Sequence, residues 1–321
     1  MEQEPTKSWE VSAFDRVNNE WTTTMNHAYD HTQEFDPSLL VRQSPAIRVT
    51  PSKRKRPETD YVERVATIGD IHFPFQDDKK LALSNIALRE INPTYIALMG
   101  DNLDFANYSR FESRQEWGLS TQEGIDQYAE YLGQLRADHP DADIVWFEGN
   151  HDIRMEKRIR EYNEDLLGIK PAGEAREALS LESLLPLGEL AIRFIKGYPS
   201  ARETVSGKLE LYHGDVTGRG LAASKVIEGA FLSFNTGHTH NLGLVAKTFY
   251  VGDEEHTIYG AESGTYADAN RTPSGKYAPG QTARHNWQSG VIDWIIYEDG
   301  ISPTVHPITD SVTIGEKRFK S

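Results

Sequence analysis

The sequence predicts an α/β fold of layered sheets, on three observations. From residue 61, short apolar runs of strand length alternate with longer segments whose apolar residues recur at helical spacing. Several of the short runs end at glycine followed by polar residues, as strands entering loops do. A hydrophobic fraction of 38% over 321 residues is enough to fill a sizeable core.

Taken in order, residues 1–60 form an N-terminal arm and basic linker, 61–310 the main domain and 311–321 a C-terminal tail. Trp9, Phe14, Trp21, Tyr29 and Phe35 are too many aromatics for a disordered tail, so the arm is expected to pack on the main domain or to dock a partner. The cations Lys53 to Arg56, between Pro51 and Pro57, read as a solvated linker. Proline disfavours helix before it and four like charges repel, although a nucleic-acid or nuclear-import patch is the alternative.

In the main domain Val65 to Ile68 is a buried strand, and the helix at Lys80 to Ile91 draws its apolar face from Leu81, Leu83, Ile86 and Leu88. Tyr95 to Met99 and Ile144 to Phe147 are further strands, with helices at Thr121 to Ala137 and Ile153 to Leu167. The second half is strand-rich, at Leu190 to Ile195, Lys208 to Tyr212, Phe231 to Asn235, Leu244 to Val251, His256 to Tyr259 and Val291 to Tyr297.

Composition excludes several function classes. With no cysteine there are no disulfides, thiolate zinc sites, iron-sulfur clusters or cysteine nucleophiles, so a metal would need nitrogen and oxygen ligands. A net charge of −15 argues against a broad duplex-DNA surface, because non-specific affinity comes from lysine and arginine on phosphates. The start of the chain shows no signal-peptide pattern and no run of 18 apolar residues occurs, so a cytoplasmic protein without membrane contact is expected. The Gly260–Gly264 segment carries its serine one position too late for a nucleophile elbow, and no Walker A sequence is present.

Five polar clusters follow expected strands: Gly69-Asp70-Ile71-His72, Gly100-Asp101-Asn102-Leu103-Asp104, Gly149-Asn150-His151-Asp152, His213-Gly214-Asp215 and Gly237-His238-Thr239-His240. Loops at the carboxyl edge of a sheet are where sites are built. Residues at i and i+2 of an extended backbone project to one side, so Asp70 with His72, and His238 with His240, are each expected to present two donors to one cavity. Carboxylate, imidazole and amide without thiolate suit manganese, iron, zinc or related divalent ions.

Together these clusters resemble the calcineurin-like metallophosphoesterases, whose pattern is D-x-H, GDxxD, GNH(D/E), H and GHxH. Glu262-Ser263-Gly264 and Asn286-Trp287-Gln288-Ser289-Gly290 look like a branch common in phage and bacterial genomes. The resemblance implies a four-layer α/β/β/α sandwich with two divalent ions about 3.5 Å apart, manganese foremost and iron, zinc, nickel or magnesium as alternatives. It implies that Asp70, His72 and His240 hold one metal and Asn150, His213 and His238 the other, with Asp101 bridging. It further implies in-line attack on a phosphate ester by a hydroxide between the metals, and protonation of the leaving group by His151, oriented by Asp104. Asp152 is then expected behind the ligands.

Arg110 and Arg154, just beyond two motif loops, are candidate phosphate clamps, with a surface ion pair as the alternative for each. Glu262 could orient a ligand histidine or simply close a strand-end turn. GDxxD runs on to Phe105-Ala106 without the Arg-Gly pair of serine/threonine phosphatases, and GNHD replaces their GNHE. Both departures lean towards a phosphodiester, nuclease-type substrate such as single-stranded nucleic acid or a nucleotide. The alternatives are a phosphomonoesterase or protein phosphatase-like enzyme, and a metal-bearing scaffold binding a partner, or a second copy, through the arm.

Overall fold

The computed structural model describes residues 7–15, 20–28, 60–109, 120–217, 221–272 and 286–320. Two compact units, Met1–Ile47 and Arg48–Ser321, are described separately. In the first, β1 (Lys7–Asp15) and β2 (Glu20–Ala28) pair antiparallel with Phe14 opposite Trp21. Tyr29, Phe35 and the Lys53 to Arg56 run lie outside the described residues.

The second unit is built on a six-stranded and a five-stranded sheet. The first has the order β13 (Ile301–Ile308), β12 (Ser289–Ile296), β3 (Glu63–Ile68), β4 (Tyr95–Leu98), β5 (Asp143–Phe147) and β6 (Ile192–Ile195), with β3 to β6 parallel. The second runs β10 (Leu242–Val251), β11 (Glu254–Ser263), β9 (Ser233–Thr236), β8 (Leu209–Tyr212) and β7 (Arg202–Val205), with β8, β9 and β11 parallel.

Strand alternation divides the apolar residues between layers. Ala66, Ile68, Ile96, Leu98, Ile144 and Trp146 pack against Leu83, Leu88, Tyr128 and Leu132 of α1 (Asp78–Ile91) and α2 (Ser120–Asp138). Their neighbours Val65, Ala97, Val145 and Phe147 face Leu209, Leu211 and Ala261 between the sheets. Beyond the second sheet, Ala223 of α5 (Ala223–Val226) and Ile227 cover Tyr212 and Phe234. This is the expected four-layer α/β/β/α order. α1 is defined by the Asp77 side chain accepting from the Lys80 N–H at its start and by Asn92 in the left-handed region at its end. Among the described residues, no helix is long and apolar enough to cross a membrane.

The expected strands and helices are present to within a few residues; β1, β2, β7, α4 (Leu181–Leu184) and α5 were not expected, and three further differences stand out. The helix expected from Ile153 to Leu167 is α3 (Arg154–Tyr162) followed by a 3-10 turn at Glu164–Leu166. β13 was not legible because Pro303 and Pro307 interrupt it, which an edge strand tolerates. The expected tail instead forms a hairpin, β14 (Ser311–Ile314) and β15 (Lys317–Lys320), with Val312 buried and Ile314 and Phe319 packed in the cluster that holds α1.

Candidate metal centre

All five clusters lie just past the carboxyl ends of parallel strands: three on the adjacent β3, β4 and β5, two on the adjacent β8 and β9. The local backbone differs from expectation. Asp70, His72, Asp101, His238 and His240 all sit in the left-handed region, with φ of 52°, 60°, 51°, 72° and 63°. These five donors therefore converge because the chain turns sharply at each of them, not because it is extended. Such residues cost of order 1–3 kcal/mol each and persist where their surroundings over-determine them. Here the Asp70 N–H donates to Gly100 O, the His72 N–H to Asp101 O, and the His238 N–H to both Asp70 carboxylate oxygens at 3.1 and 3.0 Å.

Two glycines serve close approach. A Cβ on Gly237 would stand 2.5 Å from Asp70 Oδ2, and one on Gly100, itself at φ +90°, would stand 2.6 Å from His213 Nδ1.

Among the described residues donor atoms gather in three groups, each within 4.8 Å: Asp70, His72 and His240; Asp101, His213 and His238; and His72, Asp101 and His151, which links the other two. His72 Nε2 is 3.1 Å from His240 Nε2, and His240 Nε2 is 3.4 Å from Asp70 Oδ1. In the second group His213 Nε2 lies 3.3 Å from Asp101 Oδ2, while Asn150 Oδ1 is 3.2 Å from His213 Nε2 and 2.6 Å from His238 Nδ1.

Tautomers follow from the outer partners. His213 Nδ1 is 2.7 Å from Met99 O, which only accepts, so Nδ1 carries the proton. His72 Nδ1 is 3.0 Å from Asp104 Oδ2 and donates to it. Each ring thus turns its Nε2 inward, an arrangement typical of metal-ligating histidine. The donor set fits divalent cations. Converging lone pairs and the buried carboxylates of Asp70, Asp101, Asp104 and Asp152 leave a charge that cations would balance.

The carboxylates are not equivalent. Burial opposes charge on Asp101, yet His213 and His151 hold it well below the usual carboxylate range. Asp104 is likewise held low, against burial, by hydrogen bonds from His151 and His72. Although burial disfavours its charged form, His213 is pushed up to about 10 by the neighbouring Asp101 carboxylate.

Asp152 accepts from the N–H groups of Asp101, Leu103 and Gly149 and from the Trp146 indole, tying the β4 and β5 loops together behind the ligands. Burial and the nearby Asp101 charge raise it to about 7 despite those bonds.

His151 is buried, with its Nδ1 3.2 Å from Asp104 O and 3.5 Å from Asp104 Oδ2. Arg154 Nη1 donates to Asp104 O at 2.9 Å, and Arg154 Nη2 donates to His151 Nε2 at 2.8 Å. Arginine cannot accept, so His151 is neutral here with its proton on Nδ1. Burial pushes the His151 imidazolium down, and Arg154 and His72 add to this against the pull of Asp101. Arg154 therefore turns into the site and not along the helix face, where Arg160 pairs with Glu156 at 2.7 Å.

Glu262 touches neither histidine of its neighbouring loop in its carboxylate bonds. It accepts from the Ala223 N–H at 2.9 Å and from the Thr239 hydroxyl, fixing the loop between His238 and His240. Arg110 lies outside the described residues, and Asp215 is exposed and outside the donor groups. Sequence reasoning gave no role to Trp287, whose ring meets His240 edge-on at 4.4 Å, or to Gln288, whose N–H donates to His240 O. Their only signal was the Asn286 to Gly290 run.

Among curated proteins, the chain is similar to the gene 54 proteins of two Mycobacterium phages. It is 24% identical to that of phage D29 and 23% to that of phage L5, each over 77% of this chain and 94% of the relative. Among solved structures, Vacuolar Protein Sorting 29 from Cryptosporidium parvum aligns at 13% identity and a TM-score of 0.37, over 82% of this chain and all of that one. Yfce, a phosphoesterase from E. coli, aligns at 14% and 0.32, over 75% of this chain and 98% of that one. Both superpositions are too loose to carry weight. Residues 63–242, more than half of the chain and the stretch that contains every motif loop, match the calcineurin-like phosphoesterase family, and the protein belongs to it.

Proposed function

We propose that the protein hydrolyses phosphate esters with two divalent ions, manganese foremost, and favours a phosphodiester of the kind a nuclease cleaves. The observation that carries this reading is the pair of donor groups joined through His72 and Asp101, with the non-ligand candidate His151 in the joining group. In this reading Asp70, His72 and His240 hold one ion, Asn150, His213 and His238 the other, and Asp101 lies between. Bound there, the ions supply Lewis acidity towards phosphate oxygens and make water acidic enough to be a nucleophile near neutral pH.

The chain's own residues do the rest. Asp104 and Met99 O fix the rings of His72 and His213 with Nε2 inward. Arg154, one bond from His151 Nε2, is placed to transfer its guanidinium to an entering phosphate oxygen, which frees that nitrogen and brings negative charge beside it. Both changes favour a proton on Nε2, and that proton passes to the departing alkoxide. Similarity to phage proteins supports action in the host cytoplasm.

The diester preference rests on the Phe105-Ala106 continuation and on Asp152, which accepts four bonds behind the ligands where the serine/threonine phosphatase pattern has glutamate. Hydrolysis of bis-p-nitrophenyl phosphate should exceed that of p-nitrophenyl phosphate in manganese buffer. Faster monoester turnover would replace this preference with a phosphomonoesterase.

A further inference from the structure

Next to the metal centre a pocket of about 210 Å3 is lined by Asn150 and by Arg154, Lys157, Arg158 and Glu161 of α3, with Tyr108 opposite. Arg154, Lys157 and Arg158 stand at i, i+3 and i+4, hence on one helical face, against the single carboxylate of Glu161. Among the described residues neither Lys157 nor Arg158 has an acidic partner. Their contacts are with rings: Lys157 Nζ lies 6.0 Å from the centre of Tyr198, and Arg158 Cζ 4.0 Å from that of Tyr162. In a chain of net charge −15, this face gathers three cations around one carboxylate, and two of them have no acidic partner among the described residues.

The pocket has a direction. Asn150 belongs to the candidate donor set, and Arg154 contacts His151 Nε2, the atom that protonates the leaving group in the proposed reaction. We propose, resting on the phosphoesterase reading, that Lys157 and Arg158 bind a further phosphate of the leaving fragment. The preferred substrate is then a phosphodiester whose leaving group is itself phosphorylated, as in a strand of single-stranded nucleic acid. One water is consumed: its oxygen bonds to phosphorus, the bond to the leaving oxygen breaks, and that oxygen takes the proton from His151 Nε2, which the water's proton replaces. The acidic remainder of the surface repels a long duplex, and the pocket admits a short flexible polyanion.

The test compares the full chain with the double variants Lys157→Glu/Arg158→Glu and the milder Lys157→Ala/Arg158→Ala, at exposed positions, in manganese buffer. Substrates are tetrathymidylate, a thymidine dinucleotide with terminal phosphates at both ends, and bis-p-nitrophenyl phosphate. The ratio of kcat/KM for tetrathymidylate to that for bis-p-nitrophenyl phosphate is expected to fall about tenfold or more in the charge-reversed variant. A matching fall with the capped dinucleotide assigns a single flanking phosphate, and a fall with tetrathymidylate alone assigns a longer strand. An unchanged ratio overturns the proposal.

Binding of fluorescein-labelled tetrathymidylate in EDTA reads the pocket without the chemistry. The slope of log affinity against log salt should shrink by about 0.7 in the alanine variant, where the contact to one phosphate is lost. An equal slope overturns the pocket, whereas a changed slope in a wild-type protein that hydrolyses none of the substrates overturns the phosphoesterase reading alone.

Discussion

Asp104 accepts from His72 Nδ1 and lies beside His151 Nδ1, so one carboxylate orients both a candidate ligand and the candidate proton donor. The consequences of substitution should separate accordingly. His151→Ala should lower turnover by about 10²–10⁴-fold with metal content intact. Asp104→Asn should lower turnover and also weaken metal affinity by about 10–100-fold, and Asp101→Ala should lose metal outright. Metal analysis of the three purified variants checks this, and equal metal loss in His151→Ala and Asp101→Ala would contradict the division of roles.

His213 adds a pH dependence. Its pKa, about 10 beside Asp101, lies above the unfolded value of about 6.5, so its proton stabilises the metal-free fold below about pH 6.5 and that contribution disappears as pH rises towards 10. A metal must displace this proton. Manganese affinity measured by calorimetry should therefore rise from pH 6 to pH 8, with proton release, and a flat profile would remove His213 from the ligand set. The sequence showed which residue types gather, since five clusters of His, Asp and Asn followed apolar runs, four of them directly after glycine. It did not show their left-handed backbone, which is held by hydrogen bonds between loops far apart in the sequence, or the Arg154 to His151 contact, which depends on the Asp104 carbonyl that also holds Arg154.

At the scale of elements, β3 to β5 and α1 to α2 were legible because buried parallel strands are continuous apolar runs and helices on one face of a sheet show a period. β7 and α5 are too short to show either, and the prolines of β13 break its alternation. The β14–β15 hairpin was missed because four-residue strands separated by Gly315 have little pattern, yet it covers α1 through Val312, Ile314 and Phe319. Lys317 also reaches Glu90 at 2.7 Å. Removing residues 311–321 should therefore lower Tm by several degrees, by about 2–4 °C per kcal/mol lost in a domain of this size. An unchanged melting curve would return the segment to the status of a tail.

Across the whole molecule, charge is arranged in opposition. The chain carries −15, and Asp70, Asp101 and Asp104 lie buried at the candidate metal centre within a few ångströms of imidazoles. Two divalent ions would relieve that buried charge, and the cations of α3 provide a local positive approach to it. Five loops from two sheets meet at one edge only because β3, β4 and β5, and separately β8 and β9, run parallel side by side. The order of motifs in the sequence implied this meeting through family resemblance, whereas periodicity alone predicted layers without saying which edges face each other.

The most direct measurement of the central claim is the initial rate of bis-p-nitrophenyl phosphate hydrolysis by metal-stripped protein as manganese is added, plotted against ions bound per chain. The rate should rise to a plateau at two bound ions and be absent in Asp101→Ala. Protein that binds two ions yet hydrolyses neither this diester nor p-nitrophenyl phosphate, or that reaches its full rate at one, would contradict it.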